Sequence, residues 1–353
     1  MEHRGPEQRG EEIMKLRAGR LIQGAALAGT LVASSVGMVA GSASMAGAAK
    51  TKYTIAFVVG AEADPFFQSM YVGAHAEALK LGVNLIWQGD PVDYSPATQI
   101  PVVQQVLALR PNALVIAPTD TKALNPYIAA AVKQHIKVFN VDSGSSYQKN
   151  VTSWVTGNNS QGGKAAADAL AGAMNYAKKC TSANKCSVAI GVSSLTTSTD
   201  AARVAAFKAE VKAKYPNITL LNDVVSQSQP SVAQSAFAQD ISAHNLAGIF
   251  AVDGTDAEGA TAAVKASGSA GAHIKIVGYD AYAANIASMT AGGLGSLSAI
   301  ISQQPTLEGT LIIKYAVASL SGKKVPHLHT LPNITLTPTT SAAILAKYQY
   351  VAS

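Results

Sequence analysis

The apolar run Ile55-Ala56-Phe57-Val58-Val59-Gly60 is followed shortly by Asp64-Pro65-Phe66-Phe67, and this stretch decides the fold. The run predicts a buried strand. Asp64-Pro65 predicts a helix start, because Asp caps helices and proline fits the first turn. One carboxylate and two rings would then lie at the carboxyl end of a strand, where rings can cover the apolar face of a sugar and the carboxylate can accept from its hydroxyls. A helix start with two core phenylalanines is the alternative, and these four residues leave both interpretations open.

Strand and helix patterns alternate along the rest of the chain. The sequence predicts ten strands, at 54–59, 84–88, 113–117, 137–141, 153–156, 187–192, 218–225, 248–252, 274–279 and 297–301. It predicts helices around 66–82, 97–110, 121–135, 160–178, 200–214, 231–245, 256–268, 282–291 and 305–321. Continuous apolar strands alternating with helices indicate parallel sheets covered on both faces. Because the strands form two similar series, we predict an α/β fold of two similar doubly wound parallel-sheet lobes.

Polar side chains follow several of the predicted strands. Asp142, Asp253 and Asp280 each come directly after an apolar run, and Gln303 follows the last strand. A single Asp in such a place is usually a turn residue or a helix cap. Several in the same topological position are harder to explain in that way, because carboxylates that share a cleft repel each other. Ligands of open parallel sheets bind beyond the carboxyl ends of the strands, so this set indicates a binding cleft.

The composition and the missing motifs exclude several classes of function. The chain has 353 residues, 14% of them charged, and a net charge of +6 with Lys and Arg scattered. We therefore expect two folded domains that bind no nucleic acid. The seven His residues are spread out, so no metal site is expected. Residues 157–165 lack the spacing and the hydroxyl of a phosphate loop, and neither a dinucleotide fingerprint nor a nucleophile elbow occurs, so no cofactor is expected.

The N-terminal residues 1–49 are predicted to be an export signal. A positive segment at 15–20 precedes an apolar run at 21–39, and small residues at 42–49 offer cleavage sites. This order is typical of a secretory signal peptide, and it is compatible with a true start at Met14. A membrane anchor is the alternative, but glycines interrupt the apolar run. We expect a free protein exported to the periplasm.

Cys180 and Cys186 are the two cysteines of the chain. In an oxidising compartment outside the cytoplasm, a disulfide between them is the expected state. A loop this short would stabilise the fold by about 2 kcal/mol in the chain-entropy model. Zinc binding is not expected, because no His or second Cys pair lies nearby.

Short segments in a particular order make the chain resemble a known family. They are Ile55–Val59, Asp64–Phe67, Ala117–Asp120, Val138–Asp142, Gly157–Lys164, Arg203–Phe207, Ile249–Asp253, Ile276–Asp280 and Gln303–Pro305. Each segment is weak by itself. Together they resemble the periplasmic sugar-binding proteins of ABC transporters, the type I group typified by ribose-binding protein. The resemblance extends over about residues 52–325.

This resemblance implies two lobes joined by three chain crossings, with the ligand between them. One lobe would comprise 50–156 plus 304–331, and the other 157–303 plus 332–353. The implied ligand-binding residues are Asp64, Phe66, Phe67, Asp142, Arg203, Asp253, Asp280 and Gln303. Asp142 and Asp280 would accept hydrogen bonds from hydroxyls, and Arg203 would donate to ligand oxygens. A ring of Phe66 or Phe67 would stack on the sugar.

Some positions depart from the pattern of the ribose binder. Ser143 stands where it has an arginine, and Ala117 and Asp253 stand where it has asparagines. A second stacking aromatic is replaced near Gln229. One cation is thus lost and one acid gained, so the ligand is expected to be another pentose or hexose, a polyol or cyclitol, or a ligand with some positive charge. Trp154 would either stack on the ligand or pack near the hinge.

The sequence therefore predicts a solute-binding protein of an ABC importer, which closes on a sugar or polyol and presents it to a membrane permease. We expect a monomer without enzyme activity. Two alternatives stay open: a binding protein that serves a chemoreceptor or sensor kinase, and an enzyme on a similar two-lobed fold. A repressor of the lactose-repressor group is not expected, because the signal peptide takes the place of its DNA-binding unit.

Overall fold

The computed structural model describes residues 53–351, so the predicted signal peptide lies outside the described residues. Its first sheet contains β1 (Tyr53–Ala61), β2 (Val83–Asp90), β3 (Ala113–Ile116), β4 (Lys137–Val141), β5 (Ser153–Gly157) and β11 (Leu328–Leu331). These strands are parallel and lie in the order β11-β5-β4-β3-β1-β2. The order changes direction between β1 and β3, which is the position where ligands bind in doubly wound sheets.

The second sheet repeats this arrangement. It contains β6 (Cys186–Val192), β7 (Ile218–Val225), β8 (Leu246–Ala251), β9 (Lys275–Tyr279), β10 (Leu297–Ser302) and β12 (Ile334–Leu336). The strands lie in the order β12-β10-β9-β8-β6-β7, and all pairs are parallel except β10 with β12. The change of direction falls between β6 and β8, the counterparts of β1 and β3.

Helices cover both faces of each sheet. They are α1 (Pro65–Leu81), α2 (Pro96–Ala108), α3 (Asn125–Lys133), α4 (Asn159–Ala173), α5 (Tyr176–Lys179), α6 (Ser198–Lys214), α7 (Pro230–Ala243), α8 (Gly254–Ala266), α9 (Ala283–Ala291), α10 (Pro305–Leu320) and α11 (Ala342–Tyr348). On β1, Ile55 and Phe57 pack into one apolar cluster, whereas Ala56 and Val58 pack into another on the opposite face. This burial on both faces explains why the strands are continuous apolar runs.

The chain passes between the two sheets three times. It leaves the first sheet after β5, returns after β10, and leaves again between β11 and β12. We call the first sheet with its helices the first lobe, and the second sheet with its helices the second lobe. The two lobes and their three connections confirm the predicted fold class.

Helices α1 and α10 of the first lobe approach each other at two glycines. A Cβ atom on Gly73 would lie 1.8 Å from the carbonyl oxygen of Thr306, and one on Gly309 would lie 2.1 Å from that of Met70. A larger residue at either position would push the helices apart. This close packing fixes α1, which begins at the candidate site, against α10, which begins at a crossing.

Most predicted elements agree with the structure to within a few residues, and the exceptions have local causes. The helix predicted over 160–178 is interrupted, because Asn175 adopts a left-handed conformation with φ 55°. The short elements β11, β12 and α11 were not predicted.

Cys180 and Cys186 form the expected disulfide, with their Cα atoms 5.3 Å apart. Within residues 53–351, no helix combines the length and apolar character needed to cross a membrane.

Candidate functional site

A cavity lies between the lobes, at the carboxyl ends of the strands of both sheets. Its atom-free space, which includes parts open to solvent, amounts to about 370 Å³. The structure brings to its wall all eight residues that the sequence singled out, namely Asp64, Phe66, Phe67, Asp142, Arg203, Asp253, Asp280 and Gln303. Side chains that are more than two hundred residues apart in the chain thus face one space.

The first lobe contributes two acids, Asp64 and Asp142, and three aromatic rings. Asp64 caps α1, because its Oδ1 atom accepts a hydrogen bond from the Phe66 N–H at 2.8 Å. The rings of Phe66 and Phe67 meet edge to face at 5.2 Å, and Phe67 lies nearly parallel to Tyr94 at 6.3 Å. Both phenylalanines are buried in the apolar core and also line the cavity. The helix start and the core packing of both rings are therefore confirmed, and contact with a sugar stays a prediction.

Asp142 and Asp280 occupy equivalent positions in the two lobes. Asp142 follows β4 and Asp280 follows β9, and both adopt the left-handed conformation, with φ 54° and 63°. Asp tolerates this conformation better than most residues. The Asp142 N–H donates to the Val155 carbonyl at 2.8 Å, and the Asp280 N–H donates to that of Ile301 at 2.9 Å. The two carboxylates are thus aimed by the same local backbone arrangement.

Arg203 on α6 is the cation of the cavity wall. Its Nε donates to Asn159 Oδ1 at 2.8 Å and its Nη1 donates to the Val252 carbonyl at 3.1 Å. Its guanidinium lies 4.0 Å from the centre of the Tyr279 ring, and Nη1 is 3.6 Å from Asp200 Oδ1. These contacts hold the guanidinium plane in place, and Nε and Nη1 donate to protein acceptors rather than to a ligand, which the sequence had predicted as the partner of this side chain.

Asp253 already accepts several hydrogen bonds from its own lobe. Its Oδ2 accepts from the Ser193 N–H at 3.1 Å and from the Ser193 hydroxyl. Its Oδ1 accepts from the Thr255 hydroxyl at 2.6 Å and from the Asp256 N–H at 3.0 Å. Burial opposes ionisation, but hydrogen bonds with the Asp256 side chain, with Ser193 and Thr255, and with the Asp256 N–H outweigh it and lower the pKa of Asp253. This carboxyl is therefore ionised at neutral pH.

Gln303 and Tyr350 complete the wall near the second crossing. The Gln303 side-chain amide donates to Asp280 Oδ1 at 2.8 Å. The Tyr350 hydroxyl accepts from the Gln303 N–H at 3.0 Å and donates to Asp280 Oδ1 at 3.1 Å. The Tyr350 ring also packs against Phe66, with ring centres 5.9 Å apart. A residue near the C-terminus thus supports site residues of both lobes.

Direct hydrogen bonds join the lobes around the cavity. The Tyr282 hydroxyl of the second lobe donates to Asp64 of the first. Further bonds on other loops join Thr121 to Thr196, Gly144 to Ser198, and Thr197 to Thr119. These bonds hold the two lobes together in a closed arrangement.

Enclosure in the cleft disfavours ionisation of most of the carboxyls. Burial raises the pKa of Asp64 to about 7, although hydrogen bonds from Tyr282 and Phe66 oppose the shift. Burial raises the pKa of Asp200 to about 8, although Arg203 opposes it. The cavity wall thus includes acids that are partly protonated near neutral pH.

Burial also raises the pKa of the paired acids Asp142 and Asp280 and that of Glu308. Burial raises the pKa of both Asp142 and Asp280, with Arg203 acting in the opposite direction. Glu308 on α10 is fully buried, and burial followed by repulsion from Asp142 raises its pKa well above its usual value. One guanidinium is not enough to keep all these carboxyls ionised.

The cavity wall also contains residues beyond the eight predicted from the sequence. The additional lining residues are Tyr94, Ser193, Thr199, Asp200 and Ser228. Ser193 directly follows β6 and Tyr94 lies in the loop after β2, so the strand-end rule would have found both. Asp200 precedes Arg203 by one helical turn.

Two aromatic expectations have clear outcomes. The Trp154 indole does not line the cavity, and its N–H donates to the Asp142 carbonyl at 3.0 Å, so the packing alternative is correct. Near Gln229, the residue that lines the cavity is Ser228, in a left-handed conformation with φ 57°.

Among the described residues, no group of three or more His, Cys, Asp and Glu side chains is placed to hold a metal ion.

Comparisons with known proteins agree with this architecture. A family model described as a periplasmic binding protein domain matches residues 55–324. The ribose import binding protein RbsB of Salmonella typhimurium strain LT2 is 30% identical over 304 residues, which cover 83% of this chain and 94% of that protein.

Solved structures give the same result. An ABC transporter solute-binding protein from Agrobacterium vitis, bound with alpha-D-tagatopyranose, is 28% identical with a TM-score of 0.78 over 85% of this chain and all of the other. A carbohydrate transporter solute-binding protein from Agrobacterium radiobacter, in complex with D-arabinose, is 25% identical with a TM-score of 0.76 over 84% of this chain and 98% of the other. The chain therefore belongs to the family of type I periplasmic sugar-binding proteins typified by ribose-binding protein.

Proposed function

We propose that this chain is the exported solute-binding protein of an ABC importer and that it binds a sugar or sugar-like polyol between its lobes. Its relatives are named for ribose, and its structural neighbours hold tagatose or arabinose. Because these sugars differ, the relatives support the class of ligand rather than one sugar.

The observation that carries this proposal is the composition of the closed cavity. Carboxylates and aromatic rings from the first lobe face carboxylates and a guanidinium from the second. Such a wall offers acceptors and donors for hydroxyls together with apolar ring faces for a sugar. A ligand that bridges both lobes favours closure, since each hydrogen bond to a charged group contributes roughly 1.5–3 kcal/mol.

Each of the eight residues predicted from the sequence receives a role in this proposal. Asp142 and Asp280 accept hydrogen bonds from ligand hydroxyls, and Arg203 donates with the nitrogen that the protein leaves available. Phe67 offers a ring face. The other members of the set, Asp64, Phe66, Asp253 and Gln303, position these groups or contact the ligand at the rim.

The finer features of the proposal concern export and delivery. Residues 1–49 are a cleaved signal peptide, and the mature protein works as a monomer in the periplasm. The lobes divide into 50–156 plus 304–331 and 157–303 plus 332–353. The closed form is recognised by a membrane permease, and the ligand is released unchanged.

A thermal-shift screen of the mature protein against sugars, polyols, cyclitols and amino sugars tests the proposal. A true ligand at about 100 times its dissociation constant is expected to stabilise the protein by about 2.7 kcal/mol. Mass spectrometry of the recovered ligand then separates binding from catalysis. The proposal is wrong if no polyhydroxylated compound shifts unfolding, or if the ligand is returned chemically altered.

A further inference from the structure

The acids of the cavity wall outnumber its cations. The carboxyl side chains of the wall are Asp64, Asp142, Asp200, Asp253 and Asp280. Among the described lining residues, Arg203 is the single Lys or Arg. A neutral sugar does not correct this imbalance, because it brings no charge into the closed cavity.

The guanidinium compensates only part of the acid excess. Arg203 forms an ion pair with Asp200 at 3.6 Å, and its Nε and Nη1 atoms donate to Asn159 and to the Val252 carbonyl. Ser143, directly after Asp142, is buried and donates its hydroxyl to the Pro118 carbonyl at 2.7 Å. No second cation of the described wall therefore reaches the Asp142 carboxylate.

Two buried oxygens of the wall lack a hydrogen-bond donor. Asp142 is 4% exposed and Gln303 is 2% exposed. Within the part of the chain that the structure describes, Asp142 Oδ1 and Gln303 Oε1 accept no hydrogen bond. Buried acceptors in native proteins are nearly always satisfied, so the missing donors are expected from the ligand.

The excess of acids and the two unsatisfied acceptors indicate which donor group the ligand carries. A hydroxyl offers one donor together with acceptor lone pairs, whereas an ammonium group offers three donors, no acceptor and a positive charge. We propose that the ligand is a sugar or polyol that carries an ammonium group, and that this group binds toward Asp142. This inference rests on the proposed function. Its hydroxyls then contact the remaining wall.

Protonation of the acids is the competing way to remove the excess charge. The titratable or charged groups that act on Asp142 or are acted on by it are Arg203, Asp280, Asp200, Glu308, Tyr94 and Tyr279. A neutral ligand does not offset the repulsion among ionised carboxylates, so its affinity stays flat or falls as pH rises. A cationic ligand shows the opposite trend, because it stabilises the ionised carboxylates.

Matched ligand pairs distinguish these cases on the unmodified mature protein. The pairs are D-glucosamine with D-glucose, D-galactosamine with D-galactose, and scyllo-inosamine with scyllo-inositol, all measured by calorimetry with EDTA present. We expect one amine to bind at least about tenfold more tightly than its hydroxyl partner. We also expect its affinity to rise from about pH 5.5 to about pH 7, where the amine stays protonated.

The Asp142→Asn variant locates the ammonium group. Asn keeps the shape of the side chain and tolerates the left-handed backbone of this position, so the fold should persist. The variant is expected to lose about tenfold or more of the preference for the amine, measured as the ratio of the dissociation constants of the two members of a pair. Asp168→Asn, an exposed acid paired with Lys214 away from the cavity, serves as the matched control and should keep the preference.

The possible outcomes separate this inference from the proposed function. If neutral sugars or polyols bind and every amine binds no better, the inference is wrong and the proposed function stands. If neither member of any pair nor any other polyhydroxylated compound binds, both fail. If Asp142→Asn does not fold, the pH trend of the matched pairs on the unmodified protein still decides.

Discussion

The phenol of Tyr282, in the second lobe, donates a hydrogen bond to Asp64, a first-lobe residue of the cavity wall. Asp64 also caps α1, so this one carboxylate fixes a helix start and joins the two lobes. The bond bridges the two lobes and stabilises their closed arrangement. It therefore links closure of the lobes to Asp64, the first residue of the stretch Asp64–Phe67.

Tyr282→Phe is expected to weaken ligand binding without unfolding the protein. The variant loses one interlobe hydrogen bond, which contributes roughly 1 kcal/mol, so the dissociation constant should rise about fivefold. Calorimetry with the best ligand from the screen measures the change. Tyr71→Phe, at a partly exposed site outside the cavity, is the control. Equal affinity of Tyr282→Phe and the unmodified protein would show that this bond has no part in closure.

Asp280→Asn is expected to weaken binding more strongly. Asn preserves the left-handed backbone but offers one acceptor where the carboxylate offers two, and it removes the charge. The loss of a charged hydrogen bond corresponds to roughly 1.5–3 kcal/mol, or about ten- to hundredfold in affinity. Asp168→Asn in the same lobe should leave affinity unchanged. A fully retained thermal shift in Asp280→Asn would remove this residue from the ligand site.

The closed arrangement of the lobes is expected to be less stable at pH 8 than at pH 5. The pKa values of Asp64 and Asp200 rise from 3.8 in the unfolded chain to about 7 and about 8 in the folded one. The folded state thus binds more protons between these values, and the free energy of unfolding falls as pH rises from about 4 to about 8. Each carboxyl contributes up to about 1.4 kcal/mol per pH unit.

Urea unfolding across this pH range measures the effect. Asp200→Asn should flatten the slope, because it removes one of the groups that take up protons on folding. A free energy of unfolding that rises from pH 5 to pH 8 in the unmodified protein would contradict the raised pKa values.

The sequence was informative wherever a pattern is repeated along the chain. The strands of both lobes are continuous apolar runs buried on two faces, and prolines such as Pro65 and Pro305 mark helix starts, so the predicted boundaries are close. The strand-end position of Asp142 and Asp280 likewise follows from parallel-sheet topology. These features are local, and local physical chemistry is enough to find them.

The features that the sequence did not predict depend on tertiary contacts. Strand β11 has only four residues and is a strand because it pairs with β5. Tyr350 follows a short helix and gives no local sign that its hydroxyl reaches Gln303 and Asp280. The donors of Arg203 could be apportioned between protein and ligand only once Asn159 was placed beside it.

The disulfide is expected to stabilise the fold and to leave binding unchanged. Cys180 and Cys186 join the end of α5 to the start of β6, at the opposite end of that strand from Ser193 and the cavity. Replacing both cysteines by Ser should lower the free energy of unfolding by about 2 kcal/mol in the chain-entropy model. Urea unfolding measures the free energy of unfolding, and calorimetry measures the ligand affinity. A changed ligand affinity at full stability would contradict it.

Tyr350→Phe is expected to affect both stability and binding, because one hydroxyl supports two parts of the site. Its loss leaves the buried Gln303 N–H without its acceptor, which costs roughly 1–3 kcal/mol of folding free energy. It also removes a donor from Asp280, so the carboxylate is less firmly positioned and ligand affinity falls. Tyr348→Phe, two residues earlier and outside this cavity, is the control, with an expected change within about 0.5 kcal/mol. If both variants unfold at the same urea concentration, the C-terminal tyrosine does not support the cavity wall.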